Sequence, residues 1–411
     1  MKKRLAILGV AALLCGAAAP AGATNGMDMV GYNTRAIGMG GADVAVDSDA
    51  SAVGGNPALI STAAPSSATI QLTALMPQLN YSDPANDVDG EDQIFAMPML
   101  GYVHKMAGSP WSVGLGVYAQ GGMGVNFKNV RTPAGNQDEM TSTVSFLRVN
   151  PIVAYQVNDA LNLGATLMVG YAQAQFTLFP STPGNGSGLN VQDLASFGYA
   201  GRIGAQYKVS PKVRVGATYT TASSIDLDDG TAVLNFGPMG YVKYDAQLED
   251  FSWPQEAEFG VAYTPAPGLT LAADVKWINW SATIDTPKLK VSNPPAGFPD
   301  SPFPGGAAEF DMGWDDQWVF AFGAEYAINA KHTVRAGFNY ANNPVPDDKL
   351  NPLFPAIPTT HASLGYGLNL GKWLFDLAYE HAFEETQKSS VSPFEISHSQ
   401  NTVSLAATYR Y

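Results

Sequence analysis

Residues 403–411 read VSLAATYRY, and the fold turns on how that nonapeptide is divided. Successive side chains of an extended chain point to opposite faces. Val403, Leu405, Ala407, Tyr409 and Tyr411 therefore share one side, and Ser404, Ala406, Thr408 and Arg410 share the other. The same separation recurs upstream. Trp318, Phe320, Phe322, Tyr326 and Ile328 oppose Gly323 and Glu325; Val334, Ala336, Phe338 and Tyr340 oppose Thr333, Arg335, Gly337 and Asn339; Trp373, Phe375, Leu377 and Tyr379 oppose Asp376 and Glu380. A face without charge can meet lipid, because a charge at the bilayer midplane costs about 2–4 kcal/mol. The other face, with Arg202, Arg214, Asp274, Lys276, Glu325, Arg335, Asp376, Glu380 and Arg410, must then line an interior, where charges of both signs are expected to pair across the lumen.

A soluble β-sandwich shows the same alternation, and the order of the connections separates the two. From Ser67 onward, apolar-alternating segments near Ala68–Tyr81, Ile94–Lys105, Trp111–Phe127, Ser145–Val157 and Leu161–Phe179 are joined in turn by SDPANDVDGED, MAGSP, the stretch Lys128–Thr141 and NDA. Long and short connections keep alternating through STPGNGSGLNVQD, SPK, a long stretch after Ser223, PAPG, the proline-rich Pro287–Gly313, NAK, NNPVPDDKLNPLFPAIP, GK and EETQKSSVSPFEISHSQ. An even strand number with alternating short and long connections is the pattern of a bacterial outer-membrane barrel. The expectation is an all-β fold, a 14-stranded antiparallel transmembrane β-barrel in the bacterial outer membrane. Short turns and both termini would face the periplasm, and outer-membrane lipids and lipopolysaccharide would surround a monomer. The aromatic Tyr411 at the end suits recognition by the barrel assembly machinery.

Composition agrees. Only 14% of the chain is charged, while glycine (42 residues) and aromatics (11%) are abundant, which suits a barrel with small lumen residues and aromatic rims. A net charge of −14 supplies no basic stripe for nucleic acid. Met1–Ala23 carries Lys2-Lys3-Arg4, an apolar run from Leu5 to Leu14 and Ala21-Gly22-Ala23, the layout of a secretory signal peptide. The single cysteine, Cys15, would leave with it. Beyond it no apolar run reaches the roughly 18 residues of a membrane helix.

Thr24–Ser61, TNGMDMVGYNTRAIGMGGADVAVDSDASAVGGNPALIS, is rich in small residues and has no sustained period; it reads as a compact plug ahead of the strands. Gly38-Met39-Gly40-Gly41-Ala42, Asp47, Asp49 and the closing Asn56-Pro57-Ala58 resemble the N-terminal hatch of FadL-type outer-membrane transporters of hydrophobic compounds. The resemblance extends over nearly the whole chain, through Trp253-Pro254-Gln255-Glu256 inside a long strand, FGVAYTPAPGLTLAADVKWINWS, and DDQWVFAFGAEY with AGFNYANNPVP after it. It implies a signal peptide (1–23), a hatch (24–61) and a barrel (62–411), and the passive uptake of a hydrophobic small molecule, by family default a long-chain fatty acid. The hatch residues Met27, Met29, Ile37 and Met39 would contribute to an apolar pocket, methionine tolerating varied ligand shapes. Tyr118-Ala119-Gln120-Gly121-Gly122-Met123-Gly124 would form the lateral opening, with Tyr118, Gly121, Gly122 and Gly124 at its edge.

The chain departs from the resemblance where fatty-acid-handling members carry basic residues. The matching stretches read Tyr171-Ala172-Gln173-Ala174-Gln175 and Trp314-Asp315-Asp316, leaving Gln173 and Gln175 as candidate polar pocket groups. A neutral or aromatic hydrocarbon is the alternative substrate, and a general porin the next.

No catalytic, metal or cofactor site is expected. The five histidines accompany no HExxH, Gly-x-Ser-x-Gly or cysteine cluster. His361-Ala362-Ser363 invites comparison with a Ser–His lipase, but Ser363 alternates with Leu364 and Tyr366 and so faces inward. The acidic stretches 87–92 and 226–230 lack the ligand spacing of a helix-loop-helix calcium site.

Overall fold

The computed structural model describes residues 25–63, 66–184 and 188–411; the expected signal peptide, with Cys15, lies outside them. The chain closes a single antiparallel barrel of fourteen strands. Six continuous strands come first: β1 (Ser66–Asp83), β2 (Phe95–Lys105), β3 (Trp111–Arg131), β4 (Gln137–Gln156), β5 (Leu161–Leu178) and β6 (Leu189–Ser210). Four interrupted ones follow: β7 (Val213–Thr220 and Leu227–Asn235), β8 (Tyr241–Glu249 and Glu256–Ala266), β9 (Leu269–Ile278 and Lys288–Ser292) and β10 (Ala307–Glu309 and Gln317–Ala327). The last four are β11 (His332–Ala341), β12 (Thr360–Leu370), β13 (Trp373–Lys388) and β14 (Glu395–Arg410). The ring closes where β14 pairs with β1, from Ser67 opposite Arg410 to Ser82 opposite Glu395. Closure satisfies the backbone groups that lipid cannot.

The face assignment follows the two-residue period. Phe322 is 51% exposed and Leu405 57%, while Ser404 is fully buried; the apolar faces look outward. Inside, residues Asn25–Ala63 fill the lumen as a short helix, α1 (Thr34–Ile37), and two 3-10 turns (Ala50–Gly54 and Pro57–Ser61). The inward charges pair largely with this segment rather than across the lumen. Arg35 grips Glu325 at 2.7 Å, Arg214 meets Asp47 at 2.9 Å and Arg410 reaches Asp49 at 3.4 Å. Arg335 and Arg202 instead pair from wall to wall, the first with Glu325 and Asp376 and the second with Glu256 at 3.5 Å.

Several stretches expected as long loops are wall. The ladder of β3 and β4 runs on to Arg131 opposite Gln137, leaving a short turn where Lys128–Thr141 was expected as a loop. Leu227–Asn235, Tyr241–Glu249 and Lys288–Ser292 likewise extend the sheet. Lipid enforces an apolar outer face only within the membrane, so above it strands pair with no hydropathy signature. Trp253 lies outside any long strand. Residues 250–255 leave the wall, Ser252–Trp253 pairs with Ser223–Ser224 inside it, and the indole is fully buried. Pro254, which has no N–H to donate, suits such a break.

Candidate functional site

The interruptions of β8, β9 and β10 fall at one height, and there apolar side chains turn inward. Leu248 and Phe251 from β8, Ile284 and Pro287 from β9, and Phe310, Met312 and Trp314 from β10 meet Val144 of β4 and Ala174 and Phe176 of β5. Met27 closes the cavity from below and Phe354, between β11 and β12, from above. The cavity is small, about 40 Å³, and every lining side chain is apolar apart from the indole N–H of Trp314. That N–H has no acceptor among the described residues. A train of rings floors it: Phe146 and Trp253 are 4.9 Å apart, and Trp280 stands edge-on to Trp253 and to Trp314. Above, Lys349 is hydrogen-bonded to Asp311, tying the β11–β12 connection that supplies Phe354 to the break in β10 that supplies Met312; this bond holds the ammonium above the usual lysine range.

Beside the cavity the barrel wall parts. β2 and β3 pair only from Met99 opposite Tyr118 to Lys105 opposite Ser112. Beyond that point β2 stays with β1 as far as Phe95, while β3 follows β4, with a bulge between Ala119 and Gly121. At Gly121–Gly122 the open edge of β3 is taken by the N-terminal segment, and farther along Glu91 N–H donates to the Asn126 carbonyl at 2.8 Å. Gly122 N–H donates to the Met27 carbonyl at 3.1 Å, and Asp28 forms an antiparallel bridge with Gly121. A methyl group on Gly121 would lie 2.0 Å from that carbonyl, so glycine is required by the close approach. Asp28 in turn accepts from Gln120 Nε2 and Trp253 Nε1, both at 3.1 Å, with Lys276 Nζ 3.9 Å away.

The residues singled out from sequence divide accordingly. Met27 lines the cavity. Met29 and Ile37 do not; they pack with Leu75, Phe95, Met97 and Ala378 at the β1–β2–β13 wall. Met39 packs with Val44, Ala262 and Ala321. Tyr118 lies below the parting, its hydroxyl accepting from Asn150 Nδ2 at 3.0 Å, while Gly121 and Gly122 lie in it and Gly124 pairs normally with Thr143. Gln173 and Gln175 face away from the cavity, because Ala174 and Phe176 between and beside them point in. Asn56 caps the last turn through Ala58 N–H (3.0 Å) and donates to the carbonyls of Val44 (2.8 Å) and Ala205 (3.0 Å). It rests on Gly204, and Pro57 on Gly164. Sequence reading missed Asp28, Arg148 and Glu256, all buried under the ring train. Asp28 carried the one available signal, a lone charge between two methionines.

Residues 13–411 match the family model described as outer membrane protein transport protein (OMPP1/FadL/TodX). The chain belongs to the FadL/TodX family of outer-membrane transport proteins. Three solved structures share its fold at low identity. The Pseudomonas putida toluene transporter TodX superposes with a TM-score of 0.79 at 20% identity, covering 94% of this chain and 100% of that one. The Ralstonia pickettii toluene transporter TbuX gives 0.73 at 22% identity, covering 93% and 98%. A Pseudomonas aeruginosa FadL homologue gives 0.74 at 16%, covering 94% and 99%. No curated protein sequence matches. As a member of the FadL/TodX family the chain is an outer-membrane transporter of hydrophobic compounds, and the His361–Ser363 pair is not wired for nucleophilic chemistry. Ser363 Oγ accepts from Gly40 N–H at 3.1 Å, and neither ring nitrogen of His361 has a partner among the described residues.

Proposed function

We propose that this chain carries compact, neutral hydrophobic molecules, with monoaromatic hydrocarbons the best fit, from outside the cell through the apolar cavity to the gap between β2 and β3. The observation that carries this reading is the cavity's lining of apolar side chains, with no cation among them. A carboxylate placed there would lose its hydration without a partner, at a cost of several kcal/mol. A single aromatic ring burying roughly 150–250 Å² would instead be stabilised by about 4–6 kcal/mol. The fatty-acid expectation therefore gives way to its alternative. That TodX and TbuX are toluene transporters supports the same reading.

Met27 and Asp28 act as the gate. Met27 belongs both to the cavity and to the seal over β3, so displacing this turn would join the cavity to the gap. The solute then enters the membrane sideways and never crosses water. In this reading residues 24–61 are the hatch, the short turns and both termini are periplasmic, and the barrel works as a monomer. The test is uptake of radiolabelled toluene and oleate into liposomes holding the purified protein. Toluene uptake that exceeds that of empty liposomes, with oleate at background, is expected. Oleate alone would restore the fatty-acid reading, and steady ion conductance would make the chain a porin.

A further inference from the structure

Four adjacent strands carry a row of buried polar groups above α1. Asn339 of β11 lies opposite His361 of β12, His361 opposite Ala382 of β13, and Ala382 opposite Gln400 of β14. Glu380 and His398 flank the row on the same inward face. All five polar residues are at most 2% exposed. Among the described residues, Asn339 Oδ1, both ring nitrogens of His361, Glu380 Oε2, His398 Nε2 and Gln400 Oε1 have no hydrogen-bond partner.

The bonds that these side chains do make fix what remains. Asn339 Nδ2 donates to the Gly40 carbonyl at 3.1 Å, so Oδ1 is the free end. Gln400 Nε2 donates to Thr402 Oγ1 at 3.4 Å, leaving Oε1. His398 Nδ1 is 3.0 Å from the Pro355 carbonyl, so it donates there and Nε2 is left as an acceptor. Three acceptors thus face one strip of lumen beside the Glu380 carboxyl, with His361 offering both a donor and an acceptor. An unsatisfied buried polar atom costs about 1–3 kcal/mol, and such groups in folded proteins are met by protein or by a bound molecule. Ala382, in the middle of the row, brings no polar group of its own between His361 and Gln400. Strands about 4.8 Å apart let one hydroxyl reach two neighbouring groups.

We propose that this row is a hydroxyl-binding subsite, and that the chain accepts aromatic alcohols and phenols as well as hydrocarbons. The inference rests on the apolar-cavity reading above and extends its substrate class. The surplus of acceptors favours an O–H donor, whereas an ether could take only the His361 N–H. The row also borders the cavity, since the same short segment places Phe354 on the cavity and the Pro355 carbonyl on His398. Water carries the same chemistry and fills the subsite when a hydrocarbon is bound.

The experiment measures binding of benzyl alcohol, benzyl methyl ether and toluene to the purified full chain in detergent by calorimetry. It compares the unaltered protein, a His361→Leu/Gln400→Leu variant and a His361→Gln variant. Benzyl alcohol is expected to bind about tenfold more tightly than its ether, to lose that advantage in the double variant, and to keep most of it in His361→Gln. Toluene should stay within twofold throughout. An alcohol no tighter than the ether, or an advantage that survives the double variant, would mean that the row holds water alone and would overturn the subsite while leaving the cavity reading intact. Equal losses for alcohol and toluene would overturn it as well, by showing a packing effect. If none of the three compounds binds the unaltered protein, the cavity reading and the subsite both fall.

Discussion

Replacing Asn56 by alanine removes three hydrogen bonds at the point where the plug is fastened to the wall. The side chain donates to the carbonyls of Val44 and Ala205 and accepts from Ala58 N–H, at 2.8–3.0 Å, and is 1% exposed. Each buried group left behind costs about 1 kcal/mol at the low end of measured values, so the docked plug should lose roughly 3 kcal/mol. At about 1.4 kcal/mol per factor of ten, that raises the ratio of undocked to docked plug by roughly 150-fold. The barrel itself should survive, because its ladder closes independently through β1 and β14. The assay is conductance in planar bilayers, with heat-modified electrophoretic mobility as the check on folding. Frequent openings over a quiet background are expected from the variant, against a nearly silent unaltered protein. A variant as silent as the original, with unchanged mobility, would refute the idea that Asn56 fastens the plug. A Gly204→Val change should reproduce the effect, since an added Cβ would come within 2.1 Å of Asn56 Oδ1.

Three further outcomes follow from the same geometry. A Thr34→Cys/Ser404→Cys pair, whose hydroxyls now lie 2.8 Å apart, should form a disulfide that pins α1 to β14 and yet leave toluene uptake within about twofold, because the proposed gate is only the Met27–Asp28 turn; uptake abolished until a reductant is added would show that the whole plug must move. Ala174→Lys puts an ammonium into the apolar cavity and should lower toluene uptake at least tenfold in the liposome assay, while uptake at the original level would remove the cavity from the path. Glu325→Gln strips the shared carboxylate from Arg35 and Arg335, which should weaken plug docking by about 3 kcal/mol and speed proteolysis of the N-terminal segment; an unchanged cleavage rate would count against that ion-pair cluster as an anchor.

Much of the barrel was legible in the chain because lipid imposes a simple rule on it. Each membrane strand must show one uncharged face, and the period of two makes that face visible without any knowledge of neighbours, as in Val403–Tyr411 or Trp318–Tyr326. The rule lapses at the membrane boundary, which is why Leu227–Asn235, Tyr241–Glu249 and Lys288–Ser292 read as loops although they are paired. The plug was visible as a break in period. Its methionines were not separable into roles, since Met27, Met29 and Met39 are chemically alike and only packing sends the first to the cavity and the others to the wall.

The sequence by itself determined the class of fold, the inward and outward faces and a plug ahead of the strands, all of which depend on local alternation and on the solvent that each face meets. Tertiary structure alone decided the site. The cavity draws on β4, β5, β8, β9 and β10 together with Met27 and Phe354, the parting of β2 from β3 depends on which strand each follows, and the polar row needs four strands in one register. The cavity alone brings together residues as far apart in the chain as Met27 and Phe354. A one-dimensional pattern records what each residue prefers, while the pairing register decides which of those preferences end up side by side.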